Sequence, residues 1–359
     1  MKKILAMLLL VCMVFAMAAC GQQAAPAEKP AEAPAEQPDE APAEQPAEAP
    51  AEVPAEAPAA EYKLGMGIDM KMSEEKAQID ATTAAVVLDA DGKIVAVKID
   101  VAQNKMDVTD GLVDTEATFE TKKELKEKYG MSGIGKVEWY LQVAALEEFL
   151  IGKSVEEIEG IELVEDGEHM VFADETLKAS CSISVEEIKN AVVKACKDEQ
   201  GMSFTADGAF KLGLAIISNA KDSTAATAEE DGTVKMYSEY AAAVVGEDGK
   251  ILAAVTDATQ PNIKIDAEGA VVETSYRDTK RALKEDYGMS GIGKVEWYLQ
   301  AAEFEKFAVG KTAEEIRGEA LVQDGEHMVF ADETLKASCS ISVSGMVEVM
   351  AKAADNAVA

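Results

Sequence analysis

Apolar positions fall into short runs split by turn signals, and the runs occur in two matching sets. Thr82–Asp89 (TTAAVVLD) is a short apolar run that predicts a strand. Asp91-Gly92 supplies a turn, and Lys93–Val101 (KIVAVKIDV) alternates as the returning strand. Ala241–Gly246, Asp248-Gly249 and Lys250–Thr256 repeat this hairpin. Tyr62–Ile68 (YKLGMGI) and Phe210–Ile217 (FKLGLAII) predict a strand opening each set. The period then changes. Thr121–Tyr129 and Thr279–Tyr287 read as short charged helices, each stopped by a glycine. Lys136–Ile151 predicts an amphipathic helix, with Trp139, Val143, Leu146 and Leu150 on one face and Gly152 as its stop. Ser154 and Glu157 stand at capping-box spacing, as do Ser184 and Glu187 ahead of a helix expected over Val185–Lys197. The second set has Ser342 but Gly345 where that glutamate stood. A hairpin, then helices, then a terminal helix predicts an α+β fold rather than a βαβ series.

The repetition is exact in two places. Residues 166–185 read DGEHMVFADETLKASCSISV, and 324–343 read the same twenty letters. YGMSGIGKVEWYLQ occupies 129–142 and again 287–300. Both His residues (His169, His327) and both Trp residues (Trp139, Trp297) lie inside these blocks. So long a period means two tandem copies of one small antiparallel-sheet-plus-helices domain, over 62–200 and 205–359, rather than a solenoid.

The chain ahead of these copies is different. Lys2 and Lys3 precede an apolar run from Ile4 to Met17, too short for a comfortable membrane span and typical of an export signal. Ala18-Ala19-Cys20-Gly21 resembles the lipobox of bacterial lipoproteins, which implies cleavage before Cys20 and lipidation of its thiol. From Pro26 to Pro58 every fourth residue is proline, with alanine and glutamate between. Residues 21–61 are therefore expected to be a disordered, extended spacer. At about 3.1 Å per residue it reaches on the order of 100 Å, enough to project the body into a cell wall.

With 34 basic and 67 acidic residues the net charge is −33, which excludes nucleic acid as a partner because phosphate would be repelled. Beyond the leader the cysteines are Cys181, Cys196 and Cys339, an odd number that is no disulfide framework. No CxxC, HExxH, Walker or dinucleotide fingerprint is present. His169 and His327 stand eleven residues before a serine, as candidate bases or as solvated loop residues. Gly130-Met-Ser-Gly133-Ile-Gly135, and its copy carrying Gly291 and Gly293, precede a helix and would suit either a phosphate cradle or a tight loop.

Asp174-Glu-Thr-Leu-Lys-Ala-Ser180-Cys-Ser182 resembles the signature of the FMN-binding domain family. In that family an acidic residue, two further positions and Ser/Thr-Gly-Ala-Thr precede a helix. The final hydroxyl takes FMN as a phosphoester from FAD, through a separate flavin transferase. The resemblance lays Asp174 and Asp332 on the acidic position, Ala179 and Ala337 on the alanine, and Ser180 and Ser338 on the flavin-accepting position. Gly133, Gly135, Gly291 and Gly293 fall on its glycine-rich loop. Leu177 and Leu335 depart from the family's Ser/Thr, and Lys178 and Lys336 from its Gly. Ser182 is a second candidate hydroxyl.

The resemblance implies a surface lipoprotein carrying covalent FMN on both copies and relaying electrons between a membrane donor and an outer acceptor, an electron carrier rather than a stand-alone enzyme. The alternative is a cell-surface binding or adhesion module without cofactor, its ligand patch built from Trp139-Tyr140 and Trp297-Tyr298.

Overall fold

The computed structural model describes residues 59–134, 136–292 and 294–358. The expected export signal, Cys20, the expected spacer up to residue 58, Gly135 and Gly293 lie outside the described residues. Copy one runs β1 (Ala60–Met72), β2 (Gln78–Asp89), β3 (Ile94–Lys105), α1 (Lys122–Leu125), α2 (Trp139–Leu150), α3 (Val155–Glu159), β4 (Leu163–Asp166), β5 (His169–Phe172), α4 (Glu175–Ser180) and α5 (Glu186–Cys196). Copy two runs β6 (Met202–Ala206), β7 (Phe210–Asn219), β8 (Gly232–Lys235), β9 (Tyr237–Gly246), β10 (Ile251–Thr259), β11 (Asn262–Ile265), β12 (Val271–Ser275), α6 (Lys280–Leu283), α7 (Trp297–Ala308), α8 (Ala313–Arg317), β13 (Leu321–Asp324), β14 (His327–Phe330), α9 (Glu333–Ser338) and α10 (Ser344–Val358). The fold is α+β with antiparallel sheets.

Two sheets carry the body, ordered β3-β2-β1-β6 and β10-β9-β7. Their inner faces share one core. Leu64, Met66 and Ile68 of β1 and Ala85 and Val87 of β2 pack with Leu212, Leu214 and Ile216 of β7 and Tyr240, Ala242 and Val244 of β9. Each outer face is covered by its own copy's helices. Ala84 and Val86 meet Trp139, Val143 and Leu146 of α2 and Ile188 and Val192 of α5. Ala241 and Ala243 meet Trp297 and Phe304 of α7 and Val347 and Met350 of α10. A strand covered on both faces has no solvent side, which is why TTAAVVLD is continuously apolar instead of alternating.

The YKLGMGI run shows the same logic. Its large residues point into the shared core, while a Cβ at Gly65 or Gly67 would overlap the α5 carbonyls of Ala195 and Ala191. Glycine here lets a helix lie directly on a strand. The copies are also joined by backbone, since β6 pairs with β1 from Ala60↔Ala206 to Leu64↔Met202. The junction near residue 200 is thus a sheet-forming segment rather than a linker.

Buried charge ties α1 and α6 to the scaffold. Glu305 accepts from the Thr256 amide (2.7 Å), the Thr256 hydroxyl (3.1 Å) and the Arg281 guanidinium (2.9 Å). Arg281 also reaches the Gln200 carbonyl and stands 3.7 Å from Asp198, so it spans both copies. In copy one Lys123 and Glu147 hold the corresponding place, and Glu147 accepts from the Ile99 amide at 2.6 Å.

Local expectations divide. The Ser154–Glu157 capping box forms, and Thr121 with Glu124 makes another. Ser184 does not cap α5. The N-cap is Val185, and the Ser184 hydroxyl instead meets the Glu187 carboxylate at 3.2 Å. The charged helix expected over Thr121–Tyr129 breaks at Lys126, whose φ is 48°. Trp139, Val143, Leu146 and Leu150 are all buried on one face of α2.

Candidate functional site

The two repeated blocks form one unit in each copy. Gln142, the last residue of the first block, donates to the Val137 carbonyl (2.7 Å) and accepts from the Ser182 amide (2.7 Å) and hydroxyl (3.2 Å) in the second. Gln300 does the same with Val295 (2.7 Å) and Ser340 (2.7 and 3.0 Å). Both glutamines are 1% exposed. A buried side chain with three satisfied bonds fixes the serine-rich stretch to the tryptophan helix.

The glycine loop is folded by its own chain. Glu138 accepts from the Met131 amide (3.1 Å) and the Ser132 amide (2.9 Å), and Glu296 repeats this with Met289 and Ser290 at 3.0 and 2.8 Å. The Ser132 hydroxyl, and then its amide, hold the Glu138 carboxyl below the usual carboxylate range. Those amides therefore serve the loop and are not directed at a phosphate. Gly133 and Gly291 are exposed at its outer edge, with open space where a Cβ would stand at either.

Asp174 is the N-cap of α4, accepting from the Thr176 and Leu177 amides at 2.9 Å each, and Asp332 caps α9 in the same way. Each acid thus orders its own helix turn. Lys178 and Lys336, where the family signature has glycine, continue these helices and pair with Asp166 and Asp324 at 2.9 Å. Lysine is a good helix former and glycine a poor one. Ser180 and Ser338 consequently sit at the last position of a helix rather than ahead of one. Both are exposed, and their hydroxyls donate to the Leu177 and Leu335 carbonyls at 2.9 and 3.0 Å. Ala179 and Ala337 are exposed beside them. Cys181 and Cys339 are buried, and burial pushes their thiols up to about 11 and about 12.

In copy one these elements border a cleft of about 900 Å³. Lys122 stands over the rings of Tyr129 (5.1 Å) and Trp139 (5.5 Å) along one wall. His169, Ser182, Ser184, Asp80, Thr82 and Glu187 line the cleft as well. Ser182 lines the cleft, whereas Ser180 stands outside it. Periodicity does not reveal Lys122, Asp80 or Thr82. The only trace is a Thr-Lys pair repeated ahead of each Tyr-Gly.

The residues fit the flavin that the signature implies, in part. An exposed hydroxyl suits attachment by an external transferase, and the cleft lies in the range of roughly 300–1,000 Å³ usual for cofactor-sized ligands. The Met131, Ser132 and Gly133 amides, and those of Met289 and Ser290, do not fit a phosphate cradle, being already bonded. Trp139 and Trp297, each 4% exposed, are core residues under the lysines and present no surface patch. Tyr140 and Tyr298 spend their hydroxyls on Glu127 and Glu285, at 2.8 Å each.

No family model matches the chain. No solved structure matches it. Among curated proteins it is 34% identical over 97 residues to a chlorophenol reductase of Desulfitobacterium hafniense, an alignment covering 23% of this chain and 30% of that protein. The chain thus spans under a third of the length of the curated relative it matches.

Proposed function

We propose that this protein is an extracytosolic, lipid-anchored flavin carrier that relays electrons. Ser180 and Ser338 are its acceptor hydroxyls, the copy-one cleft is the seat of the flavin ring, and Cys20 is the anchor. The observation that carries this reading is the cleft of about 900 Å³, walled by Lys122 over Tyr129 and Trp139, two residues from an exposed serine hydroxyl. FMN, when bound, supplies one- and two-electron transfer. The chain's part is to hold and screen it. Lys122 and Lys136 counter its phosphate in an otherwise acidic protein, and the aromatic wall excludes water from one side. The partial relative is named a reductase, which is an electron-handling class.

The test is production with a flavin transferase, followed by intact mass and tryptic mapping. Trypsin separates the copies, because the peptide after Lys178 ends at Lys189 and the one after Lys336 ends at Lys352. FMN mass on peptides carrying Ser180 or Ser338, removed by Ser→Ala at those positions, is the expected result. A chain without added mass or flavin absorbance overturns the reading.

A further inference from the structure

The two copies carry identical blocks but not identical clefts. In copy two the cavity at the equivalent place is about 310 Å³, against about 900 Å³ in copy one. The correspondence is direct, since Gln103, Lys122 and Tyr129 line one, and Gln260, Lys280 and Tyr287 line the other. No residue of the repeated stretch 324–343 lines the smaller cavity, whereas His169, Ser182 and Ser184 line the larger.

The strand pairing shows what changed. Thr82 of β2 is opposite Val101, and its counterpart Glu239 of β9 is opposite Ala258. Two residues earlier, Asp80 is replaced by Tyr237. Lys280 therefore has a third ring, Tyr237 at 4.9 Å, besides Tyr287 at 5.1 Å and Trp297 at 5.5 Å. It donates to the Tyr237 hydroxyl at 3.3 Å and is only 7% exposed. Glu239 reaches toward α10, where a Cβ on residue 345 would overlap its carboxylate. Copy one has the reverse arrangement, with the small Thr82 on the strand and Glu187 on the helix. The Gly345 that weakens a capping motif is thus the space that admits Glu239. Charge balance does not separate the two cavities, since Lys71, Lys105, Lys122 and Lys136 line the copy-one cleft with Asp80, Glu168 and Glu187, and Lys235, Arg277 and Lys280 line the smaller cavity with Asp222 and Asp278. The difference is one of space.

We infer that the copies are not equivalent: the copy-one cleft binds one planar aromatic anion, and in copy two the chain's own Tyr237 ring and Glu239 carboxylate fill the same place, so a full chain seats one ligand rather than two. This rests on reading the cleft as a ligand site, but not on the ligand being flavin.

The test is calorimetric titration of the full chain, made without a transferase, with free FMN and separately with 8-anilinonaphthalene-1-sulfonate. Wild type should bind one equivalent. Tyr237→Asp with Glu239→Thr and Gly345→Glu, which gives copy two the copy-one residues at these three positions, should bind two. Asp80→Tyr with Thr82→Glu and Glu187→Gly should bind none while retaining the wild-type circular dichroism. Two equivalents on wild type, or a bound equivalent surviving in the filled variant, overturns the inference. One equivalent of the sulfonate with no FMN supports the asymmetry and removes the flavin reading. No binding of either probe overturns both. Wild-type stoichiometry alone remains decisive if a variant does not fold.

Discussion

Gln142→Leu tests whether the repeated blocks act as one unit. Leucine keeps the volume and removes three bonds, from the Val137 carbonyl, the Ser182 amide and the Ser182 hydroxyl. The hydroxyl is half-buried and rebonds to water, and Val137 lies at the surface. The Ser182 amide faces a side chain that is 1% exposed and has no substitute acceptor. An orphaned buried amide costs about 1–3 kcal/mol, and the other two bonds add about 1 kcal/mol, for a total of roughly 2–4 kcal/mol. The assay is equilibrium urea unfolding, read as a lower midpoint at unchanged slope. Gln300→Leu is an internal replicate, since its distances are the same within 0.2 Å, and it should cost the same. The two variants should differ in binding: Gln142→Leu weakens ligand at the copy-one cleft, and Gln300→Leu leaves it unchanged. A loss below about 0.5 kcal/mol, within the range of an ordinary surface substitution, would refute the coupling.

Three further outcomes follow from the buried charges and thiols. Arg281→Met strands Glu305 and should cost about 3–5 kcal/mol in urea unfolding, whereas Lys123→Met, whose side chain is 28% exposed, should cost about 1–2 kcal/mol. Burial, outweighing the nearby Lys280, pushes Glu239 up to about 7 from 4.5. The folded chain then keeps a proton that the unfolded chain has released, so stability falls as pH rises from about 4.5 to about 7. Glu239→Gln should narrow the difference in urea midpoint between pH 5 and pH 8, and an unchanged difference refutes that assignment. Cys181 and Cys339, raised by burial to about 11 and about 12, should resist Ellman's reagent at pH 8 until urea is added. Labelling of either in the folded protein at the rate of a free thiol would count against their burial.

The α+β class, the opening hairpins and the apolar face of α2 were legible because each rests on a local period, as Trp139, Val143, Leu146 and Leu150 do. The meeting of the two repeated blocks was not, because Gln142 and Ser182 are forty residues apart and no local pattern couples them. Ser184 misled for a related reason. Capping-box spacing describes a helix end in isolation, and here Val185 is drawn into the core and takes the N-cap position. The shared core between the sheets was hidden in the same way. Continuous apolar strands show that both faces are covered, but not that one cover is the other copy.

The pattern of change between the copies bears on what the duplication does. The identical blocks build the tryptophan helix, the glycine loop and the serine stretch, held by the same glutamine and glutamate bonds in both. Among the differences, three fall on the facing elements: Asp80 against Tyr237, Thr82 against Glu239, Glu187 against Gly345. Two of these exchanges are coupled by volume, since a Cβ at residue 345 would overlap the Glu239 carboxylate where it now stands. Drift at unrelated surface sites would not produce such compensation. Both copies depend on one core, since Leu64, Met66, Ile68 and Val87 of the first are buried against Leu212, Leu214, Ile216 and Tyr240 of the second, each sheet supplying one side. Copy one expressed alone, as residues 59–200, should therefore expose Leu64, Met66, Ile68 and Val87 and aggregate. A soluble, cooperatively unfolding copy one would contradict this division of labour.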